Sequence, residues 1–270
     1  MSIIVGITGH TGSLGKEIIK SKSGFTFSYF KGDIRNKSKI LKWMGSKKFD
    51  AIIHLAAIVP IKVVNGNKKK AYEVNYIATK NITDAVKKNK IKWFFFASTS
   101  HVYSSLKKKI SEKSKTNPIS YYGKTKLLAE KYIIKQLEKN DSTYCIGRIF
   151  STTNQAQKNN YLVPDLKKKI KNSQKKITLY NLNHYRDFIS MKDIAKIIFC
   201  LYKKKFKGII NIASGRSIYL KDIAIYISKH YKKKIEFEDN VNKTYLVANI
   251  NKLKKIYKKN IIKNFKKLIF

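Results

Sequence analysis

The sequence predicts an α/β chain in which a doubly wound parallel sheet is followed by a smaller, more irregular C-terminal lobe. Three observations carry that expectation. Apolar runs that read as strands lack the polar alternation of a half-exposed sheet, which is the pattern of strands buried on both faces, and helical segments separate them. A glycine triplet, Gly9, Gly12 and Gly15, sits where the first strand meets the first helix. The strand–helix rhythm holds to residue 150 and loosens after it. The expected division is therefore 1–150 as the main domain and 151–270 mainly as the second lobe, with part of 184–213 returning to the first.

Residues 2–8 are β-branched and apolar and read as the opening strand. Residues 14–20 read as the start of a helix that the glycine loop introduces, and 25–30 as a second strand. Residues 37–44 have helical character, and 51–57 form an uninterrupted apolar strand. Residues 71–88 carry the apolar spacing of one amphipathic helix, and 92–97 form the next strand. A long helix is expected over 122–138 and a strand over 143–150. Past a polar stretch at 151–160, a helix is expected near 163–172, short strands at 177–180 and 209–213, and a helix at 218–231. No internal repeat is present.

Hydrophobic residues make up 43% of the 270, enough to bury a sizeable core and too many for a disordered chain. The apolar run at 51–61 is interrupted by His54 and Pro60 and is too short to span a bilayer. The chain opens directly on a strand rather than on a basic leader with an apolar region behind it. The expectation is a soluble, cytoplasmic protein with no membrane partner. Cys145 and Cys200 lie in apolar surroundings and read as buried thiols, and no spacing suits a metal. The net charge of +43 raises the question of nucleic acid. Arginine, however, occupies only positions 35, 148, 186 and 216, while lysine is everywhere. Readers of bases and phosphates favour the guanidinium fork. Heavy use of Lys, Ile and Asn reads as compositional bias, so no specific nucleic-acid partner is expected, only weak, salt-sensitive binding to polyanions.

Two features carry chemistry. In Thr8-Gly9-His10-Thr11-Gly12-Ser13-Leu14-Gly15 the strand–loop–helix setting suits a pyrophosphate. Glycine allows the backbone to turn tightly and come close, and the helix N-terminus attracts the anion. This loop makes the expected sheet Rossmann-like. The second feature is Tyr122 and Lys126, four residues apart on an expected helix and therefore on one face. A cation beside a phenol, whose free pKa is near ~10, favours the phenolate and suits acid/base work on an alcohol or ketone. The polar cluster Ser98-Thr99-Ser100, at the end of a strand, offers hydroxyls to hold a substrate oxygen.

Taken together, these motifs resemble the short-chain dehydrogenase/reductase superfamily. Further segments are similar to its extended branch, the NAD-dependent epimerase/dehydratase type that modifies nucleotide sugars: Gly32-Asp33-Ile34-Arg35, His54-Leu55-Ala56-Ala57, residues 74–81, Ser98-Thr99-Ser100-His101-Val102-Tyr103, the helix with Tyr122, Lys126 and Glu130, Arg186-Asp187-Phe188-Ile189 with Asp193 and Ile194, and residues 211–215. The resemblance implies that Tyr122 is the acid/base, that Lys126 lowers its pKa and binds the nicotinamide ribose, and that Thr99 bonds the reacting sugar oxygen. It implies NAD or NADP as cofactor. Gly9, Thr11, Gly12, Ser13, Leu14 and Gly15 would line the pyrophosphate, Asp33 and Ile34 would flank the adenine, and Leu55, Ala56 and Ala57 would line the cofactor. A nucleotide sugar would be the substrate, with Ser100 and Arg186 contacting it and the C-terminal lobe binding it. A homodimer paired through the Tyr122 helix is also implied.

Two departures bear on the reaction. No acidic residue lies between Glu17 and Asp33, so the carboxylate that grips the ribose of NAD is absent, and Lys22 and Lys31 are available for a 2′-phosphate. Ser100-His101 stands where the family's 4,6-dehydratases carry an acidic pair. The leading expectation is a reductase of a 4-keto nucleotide sugar, resembling dTDP-4-dehydrorhamnose reductase, in the synthesis of surface polysaccharide precursors. The rival is a UDP-sugar 4-epimerase with tightly held NAD, and a third reading is a non-catalytic dinucleotide- or RNA-binding scaffold.

Overall fold

The computed structural model describes residues 3–21, 24–104, 108–154, 157, 161–259, 261 and 265–270; Lys22 falls outside them. In chain order the elements are β1 (Ile3–Thr8), α1 (Ser13–Lys20), β2 (Phe25–Tyr29), α2 (Lys37–Gly45), β3 (Ala51–His54), α3 (Ile61–Gly66), α4 (Lys68–Tyr72), a π-helical turn (Glu73–Ile77) and α5 (Ala78–Lys88). Next come β4 (Trp93–Thr99), a 3-10 turn (Ser100–Val102), α6 (Tyr121–Leu137), β5 (Thr143–Ile149), β6 (Ser151–Thr152), α7 (Leu162–Asn172), β7 (Lys176–Tyr180), β8 (His184–Arg186) and β9 (Phe188–Ile189). The remainder is α8 (Met191–Lys203), β10 (Gly208–Ile212), β11 (Ile218–Tyr219), α9 (Leu220–Tyr231), β12 (Lys234–Glu238), β13 (Thr244–Leu246) and α10 (Asn251–Ile256).

Six strands form one parallel sheet in the order β10-β5-β4-β3-β1-β2. The order reverses between β1 and β3, which is the doubly wound, Rossmann-like arrangement. Strand β4 explains why these strands read as unbroken apolar runs. Trp93 and Phe95 enter one buried layer with Ile18 of α1 and Ile197 of α8, while Phe94 and Phe96 enter the opposite layer with Ile82 of α5 and Ile133 of α6. Each face has its own helices, so each face needs apolar side chains.

The C-terminal lobe packs α7 and α9 around Val163, Leu166, Ile170, Ile223 and Ile227, with β7 and β12 paired in parallel beside them. Asp187, fully buried, links its segments by accepting from the amides of Ser214, Gly215 and Ala248 and from the Ser214 hydroxyl.

Several elements differ from the sequence expectation. The strand expected over 51–57 ends at His54, because the chain leaves the sheet once Leu55 N–H has bonded Thr8 O at 3.1 Å. The single helix expected over 71–88 contains the π-helical turn. At its centre Asn75 holds a neighbouring loop: its Oδ1 accepts from Ile58 N–H at 2.8 Å, and its Nδ2 donates to Ile58 O at 3.0 Å and to Thr125 Oγ1 at 3.3 Å. The helix expected over 218–231 starts two residues later, since Ile218 and Tyr219 pair with β8. Helix α8 was not foreseen, although Ser190 caps it by accepting from Asp193 N–H at 3.0 Å.

Candidate active site

A cleft of about 530 Å³ runs along the C-terminal ends of the central strands, with the glycine loop, Thr99 and Tyr122, and Arg186 all on its wall. This is where ligands settle in open α/β sheets.

The glycine loop is fixed from below. Thr8 Oγ1 lies 2.5 Å from His54 Nδ1, and His54 Nε2 lies 3.0 Å from Thr79 Oγ1. Burial, reinforced by the charge of Lys126, holds the His54 imidazole down to about 3, so it is a neutral strut between β1, β3 and α5. Gly9 has φ +74, and a Cβ there would stand 2.6 Å from Ala56 N. A Cβ on Gly15 would stand 2.6 Å from Gly9 O. Gly12 differs, since its Cβ would meet only Gly9 O, at 3.4 Å, and otherwise open space. The helical ladder of α1 begins with Lys16 N–H bonding Gly12 O at 2.9 Å. The amides of Ser13, Leu14 and Gly15 therefore have no helical acceptor and border the cleft. Two closed glycine positions, one open one and a row of amides fit a dinucleotide's pyrophosphate.

Thr99 ends β4, and Tyr122 lies in the first turn of α6. Ser120 caps that helix by accepting from Gly123 N–H at 3.1 Å. Gly123 lets the helix press against the 3-10 turn after β4, because a Cβ there would lie 2.2 Å from His101 O. This close approach brings the Tyr122 phenol close enough to the Thr99 side chain for the hydroxyl to bear on its proton. Burial pushes the phenol above its ordinary value, and the neighbouring Thr99 hydroxyl offsets part of that rise. Lys126 shares the helix face, but its ammonium lies 3.9 Å above the Phe96 ring centroid and is fully buried. Desolvation pulls it down to about 7, against the opposing charge of Glu130. Glu130 in turn accepts from the Ser98 hydroxyl and from Arg148, whose Nη2 is 2.6 Å away. The helical spacing predicts a phenol lowered by an adjacent cation, whereas here burial raises the phenol and the cation rests on an aromatic ring.

Arg186 reaches the cleft from the end of β8, with Nη1 donating to Tyr185 O and Thr244 Oγ1, each at 2.8 Å. Burial lowers its guanidinium to about 10. Neither neighbouring acid pairs with it: Asp187 holds the Ser214–Gly215 and Ala248 backbone, and Asp193 accepts from the Ser190 hydroxyl at 2.7 Å. A desolvated cation facing a cleft without a carboxylate is a place for an anion.

Of the residues singled out in the sequence, Gly9, Gly12, Ser13, Leu14, Gly15, Leu55, Ala57, Thr99, Ser100, Tyr122 and Arg186 border this one cleft. Thr11 is exposed outside it, Ala56 packs behind Gly9, and Lys126 lies beneath the wall. Asp33 and Ile34 stand apart from it. The Asp33 carboxylate is gripped by Arg35 (Nη2 at 2.6 Å), which lowers it to about 2, and Ile34 is buried in the core. Sequence reasoning gave no role in the site to several cleft residues, among them His101 and Gln157. His101 projects between Tyr122 and Arg186, and Gln157, 7% exposed, has neither amide atom partnered among the described residues. No local sequence pattern marks Gln157, because only the fold brings it to the cleft. Among the described residues no group of three or more His, Cys, Asp or Glu side chains suits a metal, and no helix is long and apolar enough to cross a membrane.

The chain is similar to known proteins along most of its length. GDP-6-deoxy-D-talose 4-dehydrogenase of Aggregatibacter actinomycetemcomitans is 30% identical over 221 residues, covering 77% of this chain and 74% of that protein. UDP-glucose 4-epimerase of Pisum sativum is 28% identical over 132 residues, 48% of this chain and 37% of the epimerase. RMD from Pseudomonas aeruginosa, solved in complex with NADPH, superposes with a TM-score of 0.88 at 16% identity, covering 99% of this chain and 96% of that one. The glycine loop, Thr99, Tyr122, Lys126 and Arg186 all fall within residues 5–213, the stretch matched by the model of the NAD dependent epimerase/dehydratase family, and the chain belongs to that family.

Proposed function

We propose that this chain is an NAD(P)-dependent oxidoreductase of a nucleotide-activated sugar, reducing a 4-keto sugar to the alcohol. The observation that carries the reading is that Thr99 and Tyr122 line one cleft together with the glycine loop and with Arg186, which pairs with no carboxylate among the described residues. The bound dinucleotide supplies the hydride. Thr99 holds the sugar oxygen and polarises the carbonyl, and the Tyr122 hydroxyl gives its proton to that oxygen as negative charge develops there. A phenol kept protonated by burial suits that donor role. Lys126, with a pKa near neutrality, supports the return of a proton to Tyr122 from one helical turn away. The amides of Ser13 to Gly15 hold the cofactor's pyrophosphate, and Arg186 pairs with the diphosphate of the sugar nucleotide.

Two observations favour reduction over 4-epimerization. The end of β2 carries Phe30 and Lys31 and no carboxylate to grip an NAD ribose. The relative from A. actinomycetemcomitans is by name a 4-dehydrogenase of a GDP-6-deoxy sugar, which supports chemistry at that carbon. The names of the plant relatives keep the epimerase as the second reading.

The test is a thermal-shift panel of NAD, NADP and UDP-, dTDP- and GDP-sugars, followed by turnover of 4-keto sugar nucleotides with NADH or NADPH. Tyr122→Phe is expected to lose about a hundredfold or more in kcat while keeping its dinucleotide-induced shift. Full turnover by that variant refutes the acid/base assignment. A protein that purifies with NAD and interconverts C4 epimers without consuming reductant favours the epimerase. No shift with any ligand favours the scaffold.

A further inference from the structure

The described residues enclose a second recess, of about 850 Å³, that shares no lining residue with the cleft. Three segments build it. Lys109 comes from the connection between the 3-10 turn and α6, Ser214, Gly215 and Arg216 come from the turn after β10, and the rest belongs to α10 and its flanks. Each segment is held in place. The amides of Ser214 and Gly215 donate to the buried Asp187 carboxylate, each at 2.8 Å. The Asn249 amide donates to Ile110 O at 2.8 Å, and the Asn249 side chain accepts from Asn251 N–H at 2.9 Å. Lys109 Nζ donates to Gly215 O at 2.7 Å and so joins two of the walls. Gly215, at φ +77, lets its turn lie against Ile250, where a Cβ would stand 2.9 Å from Ile250 Cδ1. The recess is therefore preformed.

Its chemistry has two sides. Ile250, Leu253 and Tyr257, each less than a tenth exposed, make an apolar floor. Lys109, Arg216, Lys254, Lys258 and Lys259 stand round it, and among the described residues no carboxylate is in the lining. Lysine is spread over this whole chain, so positive charge alone carries little weight. Two things set this place apart. It is concave, with a volume in the range of small-molecule sites, roughly 300–1,000 Å³. Its charge is also one-sided, because residues 240–270 hold nine lysines and no Asp or Glu. Elsewhere on the second lobe lysines are interleaved with acids, as Lys169 is with Asp165, Lys176 with Glu236 and Lys221 with Asp239.

We propose that this recess is a second ligand site, for a nucleoside di- or triphosphate, separate from the cleft. Like charges gathered round a hollow repel one another, and an anion that bridges them relieves the repulsion. A chain of phosphates suits this better than a single one, because the cations come from three separate segments. The phosphates meet the lysines and Arg216, whose guanidinium fork matches phosphate oxygens. The base rests on the floor of Ile250, Leu253 and Tyr257, which gives a nucleotide an advantage over a bare polyphosphate. The two linings have no residue in common, so this occupant leaves the cleft unobstructed.

The experiment is isothermal titration of the full chain in about 0.15 M salt, with NADP in excess so that a nucleotide entering the cleft meets competition. ATP, GTP, UTP and dTTP are compared with inorganic tripolyphosphate and with an oligouridine RNA. Two double variants make the same change of charge: Lys254→Glu with Lys258→Glu in the recess, and Lys47→Glu with Lys48→Glu at exposed positions that line neither site. Thermal melts report that each is folded, and Lys254→Gln with Lys258→Gln takes the place of a recess variant that is not. The expected result is that at least one nucleoside triphosphate binds the wild type and the Lys47/Lys48 variant alike, binds the Lys254/Lys258 variant at least tenfold more weakly, and binds more tightly than tripolyphosphate. Equal losses in the two variants mean attraction to net charge alone and overturn the site, as does absence of binding by all four nucleotides. Tripolyphosphate binding as tightly as the best nucleotide overturns the role of the apolar floor. RNA binding more tightly than every nucleotide, with the same dependence on Lys254 and Lys258, overturns the small ligand in favour of a nucleic acid.

Discussion

Gly123 is the point at which a single methyl group would separate the reacting hydroxyls. A Cβ built there lies 2.2 Å from His101 O, 2.9 Å from Pro118 Cβ and 3.0 Å from the His101 carbonyl carbon. The first of these is backbone and has no rotamer to escape into. Contacts below 3.0 Å are essentially never seen for real Cβ atoms, so Gly123→Ala must move α6 away from the turn after β4 by about 0.8 Å. Overpacking of this kind costs about 1–3 kcal/mol. For a chain of this size that is a fall in Tm of roughly 2–12 °C. The kinetic effect is expected to be larger than the loss of stability suggests. The displacement falls directly between Thr99 and Tyr122, and a misplacement of about 1 Å costs on the order of 100-fold in rate, or ~2.7 kcal/mol of barrier. The assay is paired: Tm by differential scanning calorimetry, and reduction of a 4-keto sugar nucleotide at a temperature well below both transitions. The dinucleotide-induced thermal shift should persist, since the glycine loop lies on other elements. A Gly123→Ala protein with wild-type Tm and wild-type kcat would mean that the helix does not bear on the turn and that the argument from close approach is wrong.

Three further outcomes follow from the site. The Lys39 ammonium lies 3.8 Å from a Cβ position on Gly32, beside exposed Lys31, so NADPH is expected to bind more tightly than NADH, with a preference that shrinks as salt is raised; Lys31→Glu should reverse it in isothermal titration, and equal affinities for both cofactors in the wild type would remove the basis for this expectation. The folded pKa values of His54 and His101, about 3 and about 4, lie below the unfolded value of 6.5, so the unfolded chain binds more protons in that window and stability is lost as pH falls from 6.5 towards 4, by at most about 2.7 kcal/mol per pH unit for the two groups together; urea denaturation against pH should give this slope, and His54→Gln should roughly halve it. Gln157, with both amide atoms unpartnered at the cleft, is expected to bond a polar group of the sugar nucleotide, so that Gln157→Leu raises KM about tenfold while dinucleotide affinity, read by fluorescence quenching, stays constant; an unchanged KM would return Gln157 to a structural role.

The legible parts of the chain were those in which local sequence and tertiary environment agree. Strand β4 could be read because Trp93 to Phe96 are apolar on both faces, and the long helix α6 was expected over nearly the same residues. The glycine loop announced itself through its spacing together with its place between a strand and a helix. The environment of Lys126 was not legible. Position i+4 places a side chain on a face but does not say what fills that face, and here Phe96, from a strand about thirty residues upstream, sits beneath the ammonium. The π-helical turn was invisible because an extra residue in a helical turn leaves the apolar period almost unchanged, and what maintains it is the bonding of Asn75 to Ile58. Helix α8 carried a readable start in Ser190 and Asp193, but the motif there drew attention to Arg186 and away from the apolar period that follows. Gln157 and His101 became apparent only once the cleft existed.

The Asn75 clamp determines how the cleft meets its ligands. The side chain offers an acceptor to Ile58 N–H and a donor to Ile58 O, a pair of complementary contacts that aspartate, with two acceptors, cannot reproduce. Its further bond to Thr125 ties the same loop to the residue before Lys126. The wall formed by Leu55 to Pro60 is thus fastened to α6 before anything binds. Capture of a dinucleotide then resembles insertion into a finished slot rather than the closing of a hand. Binding should follow a single exponential whose rate rises linearly with ligand concentration, without the plateau that a slow rearrangement would impose.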